Sequence, residues 1–242
     1  MKKNKNANLK NRIYLLDTIR GILIIGVVVY HILFDLYDLF DVSACQFIIT
    51  KYADFIRDFG AGTLIFISGI SSRLSRSNIK RGIKAIIFSI LLSIVTYFAD
   101  CFIFFGIIHF MGTAMLIYGL LEKFLVKLDG IVAILVSFIL FVICIYVLDN
   151  SIYPKEWNDT VYGYVLGFDG GKYMSWDYFP LLRWIFLFIT GTYVGKYFKE
   201  GRIPGFFYKD FCKPITFLGR YTIWIYLLHQ PIVMGILMII FR

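Results

Sequence analysis

The sequence is poor in charge and in the residues that mark metal or redox sites. Only 17% of its 242 residues are charged, whereas 59% are apolar, above the roughly 45–50% of soluble domains. Its four cysteines form no CxxC pair and no metal-ligand spacing. We therefore expect buried thiols and no metal site, and a disulfide between Cys45 and Cys101 stays open.

The apolar residues are grouped in blocks of about 20, the length that crosses roughly 30 Å of hydrocarbon as a helix. The first block has no small-residue cleavage pattern, so we interpret it as an uncleaved helix. These features predict an all-α, polytopic membrane protein. It comprises a basic arm at 1–12 and a single transmembrane domain at 13–242.

The blocks predict seven transmembrane helices, at about 13–37, 60–76, 81–99, 103–124, 130–148, 180–199 and 217–240. Lysine and arginine are concentrated in the N-terminal arm and in alternate connections, which all lie on one side if there are seven spans. Positive charge marks the cytoplasmic side, so we expect a cytoplasmic N-terminus in a multi-pass cell-membrane protein. The net charge of +9 is spread over these connections, where it suits anionic lipid and not nucleic acid.

Two segments on the predicted outer side are more than connectors. Residues 43–59 repeat apolar side chains at helical spacing, which predicts an amphipathic helix on the membrane surface or a lid. The loop at 149–178 is rich in tyrosine and tryptophan and long enough to suspect a function. Its aromatic residues fit either interfacial anchoring or binding of a substrate.

The first predicted helix carries a column of ionisable residues within an apolar run. Asp17 and Asp35 are five whole turns apart, and Arg20 and His31 lie close to the same face. Four such groups are too costly to face lipid, so we expect the column to face the protein interior. Asp35, one turn beyond His31, is predicted to accept a hydrogen bond from the imidazole and leave its other nitrogen basic.

The chain has only three histidines, and all three fall within predicted spans. His31 is in the first, His109 in "FFGIIHFMGTAML", and His229 in "IYLLHQPIV", where Pro231 is expected to free backbone carbonyls. We interpret this as convergence on one central cavity. The alternative is that each histidine is a buried residue with a structural role only.

Five segments, "YLLDTIRGILIIGVVVYHILFDL", "GTLIFISGISSRLS", "FFGIIHFMGTAMLIYGLL", "WDYFPLLRWIFLFITGTYVG" and "LGRYTIWIYLLHQPI", follow one another over nearly the whole chain. In this order they resemble the catalytic-domain family of heparan-α-glucosaminide N-acetyltransferase, within the transmembrane acyltransferases. We expect a small, bacterial-type member, to which the heparan substrate does not transfer.

The resemblance implies an enzyme that takes acetyl or another acyl group from cytoplasmic acyl-CoA. It would transfer this group to an amine or hydroxyl of an amino sugar, other glycan or small molecule at the outer side. His31 matches the position expected for the active-site histidine, as base or acyl carrier, with Asp35 beside it. Arg20 and Arg220 are predicted to bind the CoA phosphates. The resemblance and the sequence also point to four cavity residues: His109, Asp177, Arg183 and His229.

Arg183 departs from the expected family pattern, and it is predicted to pair with Asp177 or to meet an anionic acceptor. The main alternative function is a proton-coupled transporter or flippase that uses the membrane His and Asp groups as a relay. The chain shows no internal repeat and no matched pair of broken helices, which argues against a transporter. The sequence leaves a homodimer open.

Overall fold

The computed structural model describes residues 12–168 and 170–241. The predicted arm at 1–12 therefore lies outside the described residues except for Arg12. The described residues form α-helices and short 3₁₀ helices without β-strands. The α-helices are α1 (Tyr14–Asp38), α2 (Lys51–Leu74), α3 (Asn78–Phe98), α4 (Ile107–Leu125), α5 (Ile131–Asp149), α6 (Val161–Leu166), α7 (Leu181–Lys199), α8 (Lys213–Arg220) and α9 (Thr222–Ile240).

Five of these helices are long and apolar enough to cross a membrane: α1, α3, α4 with the 3₁₀ turn that follows it, α5 and α9. An all-helical membrane protein is therefore confirmed. The helices α2 and α7 occupy the predicted second and sixth spans but are less apolar. The count of seven and the cytoplasmic N-terminus stay predictions.

Three predicted boundaries were wrong. Residues 43–59 do not form one surface helix, since a 3₁₀ helix covers Ser43–Ile49 and α2 then runs without a break from Lys51 into the predicted second span. The predicted last span is divided at Tyr221 into α8 and α9, directly after Arg220 interrupts the apolar sequence. The segment 103–106 lies outside α4, which begins at Ile107.

The chain divides into two compact units, one built from the residues up to Leu64 and from Gly201 onward, the other from Ile65–Glu200. We call them the first unit and the second unit. In the first unit, α1 packs against α8 and α9.

The contact between α1 and α8 depends on two glycines. A Cβ atom at Gly21 would lie 2.0 Å from the carbonyl oxygen of Ile215, and one at Gly219 would lie 1.7 Å from that of Asp17. Beside them, the buried hydroxyls of Thr18 and Thr216 are hydrogen-bonded at 2.8 Å. The two backbones are therefore in direct contact, as small residues permit between membrane helices.

In the second unit the core is built from aromatic side chains, among them the fully buried Phe110, Tyr118 and Phe188. The helices α2 and α7 approach at Gly69 and Gly191, as the glycine-rich sequence of the second predicted span indicates.

A buried ion pair joins Arg73, at the end of α2, to Asp129, which precedes α5. The Nζ atom of Lys196 lies 4.0 Å from the same carboxylate. The pair thus connects elements that are far apart in the sequence.

Candidate functional site

Cationic side chains gather around the start of α1. Arg12 Nε donates to Asp17 at 2.6 Å, and a guanidinium nitrogen of Arg20 donates to the other oxygen of Asp17 at 3.0 Å. The guanidinium of Arg220, at the end of α8, lies over the ring of Tyr14 at 5.8 Å. Packing of α8 across α1 therefore places Arg220 near the start of the helix that carries Arg20, the other arginine predicted to bind CoA.

Carboxylates balance part of this charge. Besides Asp17, Asp210 accepts a hydrogen bond of 2.7 Å from Thr216, the residue that contacts Thr18. Arg20 is only partly buried, so its guanidinium stays accessible to an anionic group.

Further along α1, the imidazoles of His31 and His229 are neighbours. Their ring centroids are 4.8 Å apart and the rings are inclined by 70°. Tyr30 contacts His31 edge-on at 5.7 Å, and Tyr226 lies 5.5 Å from the ring of His229. Packing of α9 on α1 thus joins two residues separated by 198 positions.

Each of these imidazoles is held by a backbone carbonyl. His31 Nδ1 lies 2.8 Å from the carbonyl oxygen of Val27, and His229 Nδ1 lies 2.6 Å from that of Tyr226. A carbonyl oxygen can only accept, so Nδ1 carries the hydrogen in both rings. The Nε2 atom of each ring is therefore the basic position.

Asp35 has a different partner from the one predicted. Its carboxylate accepts hydrogen bonds of 3.0 and 2.8 Å from Gln230 Nε2, whereas His31 Nδ1 is bonded to Val27. The prediction that Asp35 orients the imidazole by a hydrogen bond was wrong, because the preceding helical turn offers a nearer acceptor. Asp35 is only 2% exposed, so its carboxylate is buried against Gln230.

Two polar atoms beside this carboxylate have no described partner. His229 Nε2 and Gln230 Oε1 are both buried and without a hydrogen bond, and the His229 side chain is 8% exposed. Buried polar groups are usually paired; Gln230 Oε1 is an acceptor, and so is His229 Nε2 when the ring is neutral. A substrate that brings N–H or O–H donors would satisfy them.

His109 and Asp177 are in the second unit, at the start of α4. His109 Nδ1 accepts from the Gly106 N–H at 3.3 Å, and His109 Nε2 lies 3.1 Å from the Ser93 hydroxyl. That hydroxyl donates to the Ile103 carbonyl at 2.6 Å, so His109 Nε2 must carry the hydrogen. Both nitrogens of this imidazole are used in the packing of the helix end.

Asp177, in the segment before α7, contacts the same helix end. Its carboxylate accepts from the Ile107 N–H at 2.9 Å. Helix N-termini have free N–H groups that carboxylates satisfy. Arg183, one turn into α7, pairs with Asp149 and lies 5.8 Å from the ring of Trp184.

Five of the predicted site residues thus belong to the first unit: His31, Asp35 and His229 along α1 and α9, and Arg20 and Arg220 nearer the start of α1. The other three, His109, Asp177 and Arg183, belong to the second unit. Sequence reasoning missed Gln230, although it directly follows His229 in "LLHQPI". Among the described residues no group of three His, Cys, Asp or Glu side chains could hold a metal ion. All four cysteines are free thiols.

Apolar membrane helices around a buried cluster of histidine and aspartate define the class of protein as a multi-pass membrane protein with an internal polar site. The chain belongs to the family described as heparan-alpha-glucosaminide N-acetyltransferase, catalytic, which it matches over residues 12–231. Membership indicates a membrane acetyltransferase-type function. Neither a curated protein nor a solved structure matches the chain significantly.

Proposed function

We propose that this protein transfers an acetyl or other acyl group from cytoplasmic acyl-CoA to an amine or hydroxyl at the outer side of a cell membrane. The acceptor is an amino sugar, another glycan or a small molecule. The observation that carries the proposal is the imidazole of His31, whose Nδ1 is held by Val27 so that Nε2 is available as a base. It stands beside a buried carboxylate in a chain of a membrane acetyltransferase family.

The start of α1 is the proposed site for the CoA phosphates. Arg20 and Arg220 provide guanidiniums, which bind phosphate oxygens through pairs of N–H donors. His31 follows Arg20 by 11 residues, about 16 Å along a helix axis. A flexible pantetheine arm is suited to bridge that distance and carry the thioester toward the imidazole.

The chemistry proposed for His31 is general-base catalysis. As the acceptor attacks the thioester carbonyl, His31 Nε2 takes its proton, and the negative charge of Asp35 stabilises the imidazolium. The alternative is attack by His31 itself, which forms an acyl-histidine that the acceptor then resolves. Both routes need the same free Nε2 atom.

The test is acyl transfer by the purified full chain in lipid nanodiscs. Labelled acetyl-CoA is supplied with a cell-envelope extract, and the labelled product is identified by mass spectrometry. A general base contributes about 10²–10⁴-fold, so His31→Gln should lose transfer by that factor while its elution profile and thermal midpoint stay near those of the wild type.

His109→Gln is the matched control, because it removes an imidazole from the second unit by the same substitution. Transfer should fall further in His31→Gln than in His109→Gln. Equal transfer by wild type and His31→Gln would contradict the proposal. If sealed vesicles accumulate a substrate without consuming acyl-CoA, the protein is a transporter and its histidines form a proton relay.

A further inference from the structure

His31 and His229 form a pair with unusual symmetry. Each ring donates its Nδ1 hydrogen to a carbonyl of its own helix, so each presents Nε2 as its only proton-exchanging atom. The ring centroids are 4.8 Å apart, and His229 Nε2 is buried without a described partner. Two bases this close in an apolar setting cannot both be protonated without strong repulsion.

The charge beside the pair indicates how many protons it holds. The Asp35 carboxylate is almost fully buried, and its described side-chain bonds come from the neutral amide of Gln230. A buried carboxylate that lacks a compensating positive charge is unstable. One proton shared by the two neighbouring imidazoles would make the cluster electrically neutral.

We propose that His31 and His229 act as an acid–base pair that shares a single proton, balanced by Asp35, with His229 as a second catalytic residue. This inference rests on the proposed acyl transfer. In the reactive form, His31 has a free Nε2 lone pair and His229 is protonated at Nε2.

The two roles balance the reaction. The acceptor atom forms a bond to the thioester carbonyl carbon and gives its proton to His31 Nε2. The carbon–sulfur bond breaks, and the leaving thiolate of CoA takes the Nε2 proton of His229. The products are the acylated acceptor and free CoA, and the pair still holds one proton, now on His31. Return of that proton to His229 Nε2 restores the starting state.

The other groups near the pair are consistent with this proton count. Asp38, one turn beyond Asp35 on α1, and the hydroxyls of Tyr30 and Tyr226 are titratable neighbours. On α2, Arg57 interacts with the Tyr30 hydroxyl, and its charge is balanced by its ion pairs with Asp54 and Asp58. Across α1, the helix α8 contributes Lys213 and Arg220, of which Arg220 contacts Tyr14 at the start of α1. The 3₁₀ helices that pack on α1 contribute Cys45 and Tyr208. No described arginine or lysine pairs with Asp35.

The test uses nitrogen-15-labelled histidine in the full chain, in nanodiscs, without any substrate. The chain has three imidazoles, and His109 is an internal reference because its hydrogen must be on Nε2. At neutral pH, His31 and His229 should instead show Nδ1–H, with one additional proton that exchanges between the Nε2 atoms of the two rings. Because coupled sites titrate together, the pair should bind its two protons in two separate steps. In His229→Gln or His31→Gln, the remaining ring should titrate in one step.

The proposal that the rings share a proton would be overturned if each ring titrated in the wild type as it does in the variant that lacks the other ring. Since each variant reports on the other ring, failure of one variant to fold leaves the second informative, with the His109 signals as the folding check. In the acetyl-transfer assay, His229→Gln should lose roughly 10²–10³-fold. If the wild-type protein showed coupled titration but no acyl transfer, the proposed function would be wrong, whereas the inference of a shared proton would still hold.

Discussion

Replacing Gly21 by alanine tests whether the contact between α1 and α8 is as tight as the structure indicates. The new Cβ atom would lie 2.0 Å from the Ile215 carbonyl oxygen. Because carbon–oxygen contacts rarely fall below about 3 Å, the two backbones must separate by about 1 Å. Gly26 is the matched control, since it lies in the same helix and a Cβ atom there meets nothing within 4 Å.

The expected magnitude follows from three terms. Overpacking costs about 1–3 kcal/mol, and stretching the buried hydrogen bond between Thr18 and Thr216 costs about 1 kcal/mol. Alanine in place of glycine returns about 1 kcal/mol of helix propensity. Gly21→Ala should therefore destabilise the protein by about 2 kcal/mol, whereas Gly26→Ala should stabilise it by up to about 1 kcal/mol.

The assay is thermal unfolding in nanodiscs followed with a thiol-reactive dye. The chain suits this method because its four cysteines are free, with Cys45 buried and the others partly buried. For a chain of this size, 1 kcal/mol corresponds to about 2–4 °C in Tm. The midpoint of Gly21→Ala should fall by about 4–8 °C on that scale, and that of Gly26→Ala should not fall. If Gly21→Ala melts at or above Gly26→Ala, the close contact between α1 and α8 is wrong.

Two further pairs of substitutions probe charge in different settings. Asp129→Asn should destabilise the protein by about 3–5 kcal/mol because it leaves Arg73 buried without its carboxylate. Asp149→Asn breaks the more exposed pair with Arg183 and should cost less than about 1 kcal/mol. If thermal unfolding shows the same loss of stability in both variants, burial does not determine how much an ion pair contributes. Arg20→Gln should raise the KM for acetyl-CoA about tenfold, since a hydrogen bond between charged groups contributes about 1.5–3 kcal/mol. Arg76→Gln removes the same charge from an exposed arginine before α3, and a similar KM in both variants would exclude a specific role for Arg20.

The sequence was most informative about single helices. Helical spacing alone places Asp17 and Asp35 on one face, and both are buried, whereas Ile22 and Val29 on other faces are about half exposed. The same spacing could not identify the partner of His31. It shows that Asp35 shares a face with the imidazole, but not that the Val27 carbonyl lies within reach of Nδ1.

Contacts between distant helices could not be predicted. Gln230 follows Asp35 by 195 positions, and periodicity carries no information on which helices meet. The break at Tyr221 was also missed, although Gly219 and Arg220 interrupt the apolar sequence directly before it. The role of His109 in a cavity stays a prediction, and its bonds to Gly106 and Ser93 show a contribution to the start of α4.

The assembly of the first unit from two distant stretches of chain has a consequence for biosynthesis. During translation, α1 emerges early with Asp35 and His31, and the ribosome must add nearly two hundred residues before Gln230 and His229 exist. Until then the Asp35 carboxylate must stay in contact with water, be protonated, or be bound by an insertion factor. The proposed site is therefore completed only when α9 docks on α1, so a nascent chain stalled before α9 would lack half of the cluster.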